Sequence, residues 1–193
     1  MTVHIALLRS TSAGGRQISG EDLTALLVDL DLTVIHVDPR IGALVFESGE
    51  RAGADLQAQL EAELHARLAL RTDAYVRSAQ AWKALIAANP FPDFAASDPG
   101  RLLVVFLKDT PDKKHVGALR AAVRGLEQIR AESRQLYLTY PDGVAGSKLS
   151  NSLVEKTLGS RITSRSWTAV LALDALVDQP ADPADLSASP DVT

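Results

Sequence analysis

"LTVIHVDPRIGALVFES", residues 32–48, sets two runs of β-branched and apolar residues on either side of a break at Asp38-Pro39-Arg40. Runs of that composition, separated by turn-forming residues, predict a hairpin of "LTVIHVD" (32–38) against "GALVFES" (42–48). On its N-terminal side Leu23, Leu26, Leu27 and Leu30 fall on one face of a helix, and Ser19 with Asp22 forms a capping-box pattern with Asp in place of the usual Glu. On its C-terminal side Leu56, Leu60, Leu64 and Leu68 recur every fourth residue, predicting a helix within 52–70. "VHIALLR" (3–9) and "DAYVRS" (73–78) are strand-like outer segments, and "STSAGGRQ" (10–17) reads as a loop. The order is β-α-β-β-α-β, ending near residue 78.

The second half repeats it. "RLLVVFL" (101–107) is a buried strand, and Thr110-Pro111 predicts a cap and first helical proline ahead of Val116, Leu119 and Val123, with Gly125 as the stop. "LEQIRAES" and "RQLYLTY" predict a second hairpin. Ser147 is expected to cap a helix carrying Leu149, Leu153 and Leu158 and ending at Gly159, with Lys148 as its first residue. "RITSR" (161–165) supplies the last strand, and Ser166 or Ser164 opens a final helix with Trp167, Val170, Leu171 and Leu176. Between the halves, "AQAWKALIAAN" (79–89) predicts a linking helix, with Trp82 in the core, and "PFPDFAASDPG" (90–100) an irregular loop. The predicted fold class is α+β: two ferredoxin-like βαββαβ halves, 1–78 and 101–177, joined through 79–100 by that helix and loop. A C-terminal helix closes the second half, and the Pro-, Asp- and Ala-rich segment 178–193 is expected to be a disordered acidic tail.

Composition removes several chemistries. The chain has 193 residues and no cysteine, which excludes disulfides, thiolate metal ligands and a cysteine nucleophile. His4, His36, His65 and His115 are scattered without ligand spacing, so no metal and no cofactor is expected. No G-x-S-x-G elbow is present. "GVAGSK" (143–148) resembles a phosphate loop, but Gly143 and Gly146 stand too close together and Leu149 replaces the Mg²⁺-binding hydroxyl. No basic leader or membrane-length apolar run occurs, so a cytoplasmic protein without membrane contact is expected.

Charge is uneven. Residues 1–76 hold six basic and eleven acidic side chains, whereas 101–177 hold twelve basic and seven acidic. The basic half permits an anionic partner without amounting to a nucleic-acid-binding stripe. Lys148 is the local anomaly, because a helix N-terminus favours an acid. Gly143 and Gly146 beside it can expose backbone N–H groups to an anion, with Ser147 as the cap. Arg165 before the last helix, and Arg9 with Arg16 around the first loop, place further cations near element ends. Tyr140 and Trp167 flank these loops as semi-buried packing or as a stacking platform.

The stretches "IALLRSTSAGGRQIS", "GALVFESGE" and "LYLTYPDGVAGSKLSNSLVEKTLGSRITSRSWTAVLAL" resemble the uncharacterised bacterial family catalogued as domain of unknown function 1697, over about residues 1–177. The resemblance implies a two-part α+β fold of ferredoxin-like halves and implies no activity. Tyr140, Pro141, Gly143, Ser147, Lys148, Arg165 and Trp167 match the family pattern. Ser10-Thr11-Ser12 replaces its Gly-Ile-Asn, Arg16 its Lys, and Ile41-Gly42-Ala43 its Ser-Gly-Asn. Binding is therefore expected to centre on the second half, through Arg9, Arg16, Tyr140, Gly143, Gly146, Ser147, Lys148, Arg165 and Trp167. The partner would be a phosphate-bearing small molecule or a nucleic-acid backbone, with the chain a monomer or weak dimer. A protein–protein assembly module and an enzyme of unidentified class are the alternatives.

Overall fold

The computed structural model describes residues 1–178. Their secondary structure is mixed α+β, with two four-stranded antiparallel sheets and seven α-helices. The first half runs β1 (Thr2–Leu8), a small hairpin of β2 (Ser12–Ala13) and β3 (Arg16–Gln17), α1 (Gly20–Asp29), β4 (Thr33–Asp38), β5 (Ala43–Ser48), α2 (Gly53–Leu68) and β6 (Ala74–Ser78). Its sheet order is β4-β5-β1-β6. The second half runs β7 (Leu102–Phe106), α5 (Lys113–Ala122), β8 (Gln128–Glu132), β9 (Gln135–Thr139), α6 (Asn151–Leu158) and β10 (Thr163–Ser166), with order β10-β7-β9-β8. Both sheets thus follow one connectivity, fourth strand, first, third, second, which is the arrangement that ferredoxin-like halves require.

Between the halves lie α3 (Ala79–Ala87) and α4 (Pro92–Ser97), and α7 (Trp167–Val177) closes the described chain. Helix α3 leaves β6 through the Ser78 cap as α7 leaves β10 through Ser166; each hydroxyl accepts from a backbone amide three residues on. The linking helix is therefore the first half's counterpart of the C-terminal helix.

The apolar side chains form three clusters. One packs α1 and α2 on one face of the first sheet, and another packs α5 and α6 on one face of the second. The third takes Ile5, Leu7, Val45 and Tyr75 from the first sheet and Val104, Phe106 and Tyr137 from the second, together with Trp82 and Leu85 of α3 and Trp167, Val170 and Leu173 of α7. Both faces of β1 from Ile5 onward and of β7 are covered, which is why Ile5–Leu8 and Leu102–Phe106 read as apolar runs instead of alternations. Trp82 stacks on Phe106 with centroids 5.3 Å apart and donates its ring N–H to the Val170 carbonyl at 3.2 Å.

Several boundaries differ from the sequence expectations. Segment 90–100 is not irregular: Phe91 and Phe94 dock on the central cluster, and Pro92 takes a first-turn position, where its missing N–H is harmless. Asp112, not Thr110, caps α5, accepting the Lys114 amide at 2.6 Å; a carboxylate is the stronger cap, and Pro111 falls outside the helix. Helix α5 ends in extended backbone at Val123, so Gly125 is not its stop. The loop at 10–17 contains the β2–β3 hairpin. Of the tail expected to be disordered, residues 179–193 lie outside the described residues; Asp178 pairs with Lys83 at 2.6 Å. Among the described residues, no helix is long and apolar enough to cross a membrane.

Candidate functional site

The expected helix start at Ser147-Lys148 does not form. Ser150 caps α6, accepting the Leu153 amide at 3.2 Å, and the helix begins at Asn151. The phenol of Tyr140 holds the chain back by donating to the Leu149 carbonyl at 2.9 Å. Ser147 accepts the Leu149 amide at 3.0 Å and donates to Glu127, which this hydrogen bond holds below the usual carboxylate range. Lys148 is exposed, three residues before the helix, in a depression that also contains the acids Glu127 and Asp142. Gly143 (φ +89°) and Gly146 line the same depression. Tyr140 is buried, which pushes its hydroxyl up to about 12, and Trp167 belongs to the central cluster. Arg16 is exposed against Asp22 at 3.3 Å.

Arg9 and Arg165 come together elsewhere, where the two halves meet. Two adjoining depressions, of about 350 and 440 Å³, share Arg9, Ser164 and Arg165. The first adds Ser10, Thr11, Arg40, Ile41 and Gly42 from the first half; the second adds Asn151 and Glu155 from the second half. Lys148 lines neither, so the sequence-expected residues divide between separate places.

Arg165 stands on β10 and reaches across the junction. Its guanidinium donates to the Thr163 hydroxyl at 3.0 Å and the Ser164 carbonyl at 2.7 Å, and to the first-half carbonyls of Leu8, Ile41 and Gly42. Gly42 makes this possible. It adopts φ +61°, and a Cβ there would lie 2.9 Å from the Leu8 carbonyl oxygen. Every partner of Arg165 is neutral, and its Nε is buried without an acceptor. Burial pulls this guanidinium down to about 10, so it stays charged at neutral pH. Arg9 instead pairs with Glu155 of α6 at 3.0 Å, and Arg40 with Asp38 at 3.0 Å.

Sequence reasoning placed Arg161 near Arg165 but missed the other partners around this place: Arg40, Asp73, Lys108, Glu155 and Ser164. Asp73, just before β6, accepts from Lys108 at 2.9 Å and Arg161 at 3.0 Å, and Lys108 also meets Glu61 at 2.8 Å. Burial pushes the Asp73 carboxyl up, but hydrogen bonds and charge from Lys108 and Arg161 outweigh it and hold it below its ordinary value. A carboxyl depressed in the folded state contributes stability above its unfolded pKa of about 3.9 and loses that contribution as pH falls through the folded value. Melting temperature followed from pH 6 to pH 2.5 should fall more steeply for the wild type than for Asp73→Asn; parallel curves would remove Asp73 from the acid response.

The fold and the junction define an α+β protein of two sheets bridged by the half-buried Arg165. The profile described as "Protein of unknown function (DUF1697)" matches residues 1–137, and the chain belongs to that family. The match stops before the "YPDGVAGSK" block, which the sequence resemblance over about residues 1–177 had included. A solved structure, the conserved bacterial protein SP0830 from Streptococcus pneumoniae, is similar in fold: 17% identity, TM-score 0.67, covering 92% of this chain and 99% of its own. No curated protein matches the chain.

Proposed function

We propose that this is a cytoplasmic protein that binds an anionic, phosphate-type group at the junction of its halves, on Arg165 and Arg9. The observation that carries this reading is Arg165: a largely buried guanidinium that lines two depressions and has neutral partners only. Burying a cation without a counter-charge is costly, and an anion that enters the depression relieves that cost. The hydroxyls of Ser10, Thr11 and Ser164 add donors at the rim. The residues lining both depressions include no aromatic ring, which favours a small phosphate-bearing ligand over a strand whose bases must stack. Glu127 and Asp142 beside Lys148 argue against that loop as the centre.

Titration with inorganic phosphate tests the proposal, with Trp167 fluorescence as reporter, since Trp167 follows Arg165 by two residues. The wild type should bind saturably. Arg9→Ala should weaken binding about tenfold, the size expected for one charge-assisted hydrogen bond. Lys148→Ala should leave the affinity within about twofold, as a screened, distant charge would. No wild-type response, or a larger loss from Lys148→Ala than from Arg9→Ala, would overturn the assignment.

A further inference from the structure

The halves repeat one another position by position at this junction. Ile5 pairs with Arg77 on β6 as Val104 pairs with Arg165 on β10, and Leu7 pairs with Tyr75 as Phe106 pairs with Thr163. The Leu8 amide donates to the Gly42 carbonyl at 2.7 Å, and the Leu107 amide to the Arg134 carbonyl at 3.0 Å. Arg77 donates to the carbonyls of Leu107 and Arg134 at 2.7 and 3.1 Å, the mirror image of Arg165 on those of Leu8 and Gly42. Glu61 of α2 accepts the Ala74 amide as Glu155 of α6 accepts the Ile162 amide, at 2.8 and 3.1 Å. Lys108 therefore stands where Arg9 stands, following Leu107 just past β7 as Arg9 follows Leu8 at the end of β1.

At one position the repeat reverses its charge. Counting back from the paired strands, Asp73 corresponds to Arg161, and the charge is reversed. Around Arg77, the cation Lys108 is held by two carboxylates, Glu61 and Asp73. Around Arg165, the cation Arg9 has Glu155 alone, while Arg161 turns across to Asp73. Arg77 is 4% exposed, whereas Arg165 keeps a face on the depressions.

We infer that the ligand's oxyanion occupies, on Arg9, the place that the Asp73 carboxylate occupies on Lys108. One copy of a duplicated site is closed by the protein's own side chain, and the other is left for a ligand's terminal phosphate. This rests on the anion-binding reading above and adds what marks the open copy: a missing carboxylate at position 161.

Restoring that carboxylate should close the site. Phosphate titrations of wild type, Arg161→Gln and Arg161→Asp at low and high salt separate a local occupant from long-range charge, because about 0.5 M salt screens the latter within a few ångströms. Arg161→Asp should weaken binding about 20-fold or more at both salts, the scale of a like charge placed against a bound anion, with Arg161→Gln within about threefold of wild type. Equal affinities for the two variants at high salt, with wild type still binding, would overturn this inference and leave the junction assignment standing; no wild-type binding would overturn both. Should Arg161→Asp not fold, Asp73→Asn provides the converse test. It should open a second phosphate site on Lys108, and a stoichiometry unchanged at one would overturn the inference.

Discussion

Replacing Arg165 with methionine should abolish measurable phosphate binding and lower stability by about 3 kcal/mol, the penalty for taking one donor from several carbonyls where water reaches only part of the site. The guanidinium satisfies the Ser164 carbonyl of its own strand and those of Leu8, Ile41 and Gly42 from the other half. Methionine fills similar volume without offering a donor. The Ile41 carbonyl sits on an exposed turn and can take water instead, and the Gly42 carbonyl keeps the Leu8 amide, which limits the cost. Binding has no such refuge, since the proposed ligand would lose its one cation without a carboxylate partner. Chemical denaturation and phosphate titration of the same variant check both parts. A variant that binds as wild type does would remove Arg165 from the site.

Arg77→Met should be worse for folding and neutral for binding. It strips donors from the carbonyls of Val76, Leu107 and Arg134, and at 4% exposure no solvent stands ready to replace them. The expected loss is about 3–5 kcal/mol, in the range for disrupting a buried charged network. Arg77 is pulled down to about 10 by burial, with the charge of Arg134 adding to the effect, so its ion is held in place by carbonyl dipoles. Phosphate affinity of the folded fraction should stay within about twofold of wild type, as expected of a site that shares no residue with the mutated one. A stability loss below 1 kcal/mol would show that the halves do not depend on this clamp; a lost affinity would couple the two copies.

These two arginines also show what the sequence makes legible. Strands and helices were readable because their burial imposes a period: Leu56, Leu60 and Leu64 are all buried on α2, and β1 is covered on both faces from Ile5 onward. Boundaries were less readable where two residues compete for one role. Ser147 and Ser150 both precede a helical pattern, and the choice between them is made by Tyr140, whose hydroxyl fixes Leu149 from a neighbouring strand end. That contact is tertiary and leaves no local trace. The site was half legible. Arg9 and Arg165 stood out as cations at element ends, but their convergence depends on strand register between sequence-distant segments.

A signal for the missing half was nonetheless present. "VRS" at 76–78 and "SRS" at 164–166 each set an arginine before the serine that caps the following helix. Reading them as one repeated element would have identified Arg77 as the partner of Arg165. It would also have exposed the reversal from Asp73 to Arg161, four residues before each arginine.

The most direct measurement of the central claim is the anomalous difference density of crystals soaked in tungstate, a heavy tetrahedral oxyanion that stands in for phosphate. The account predicts a peak in the junction depression within hydrogen-bonding reach of Arg165 and Arg9. A peak confined to the Lys148 loop, or no peak at the junction, would contradict it.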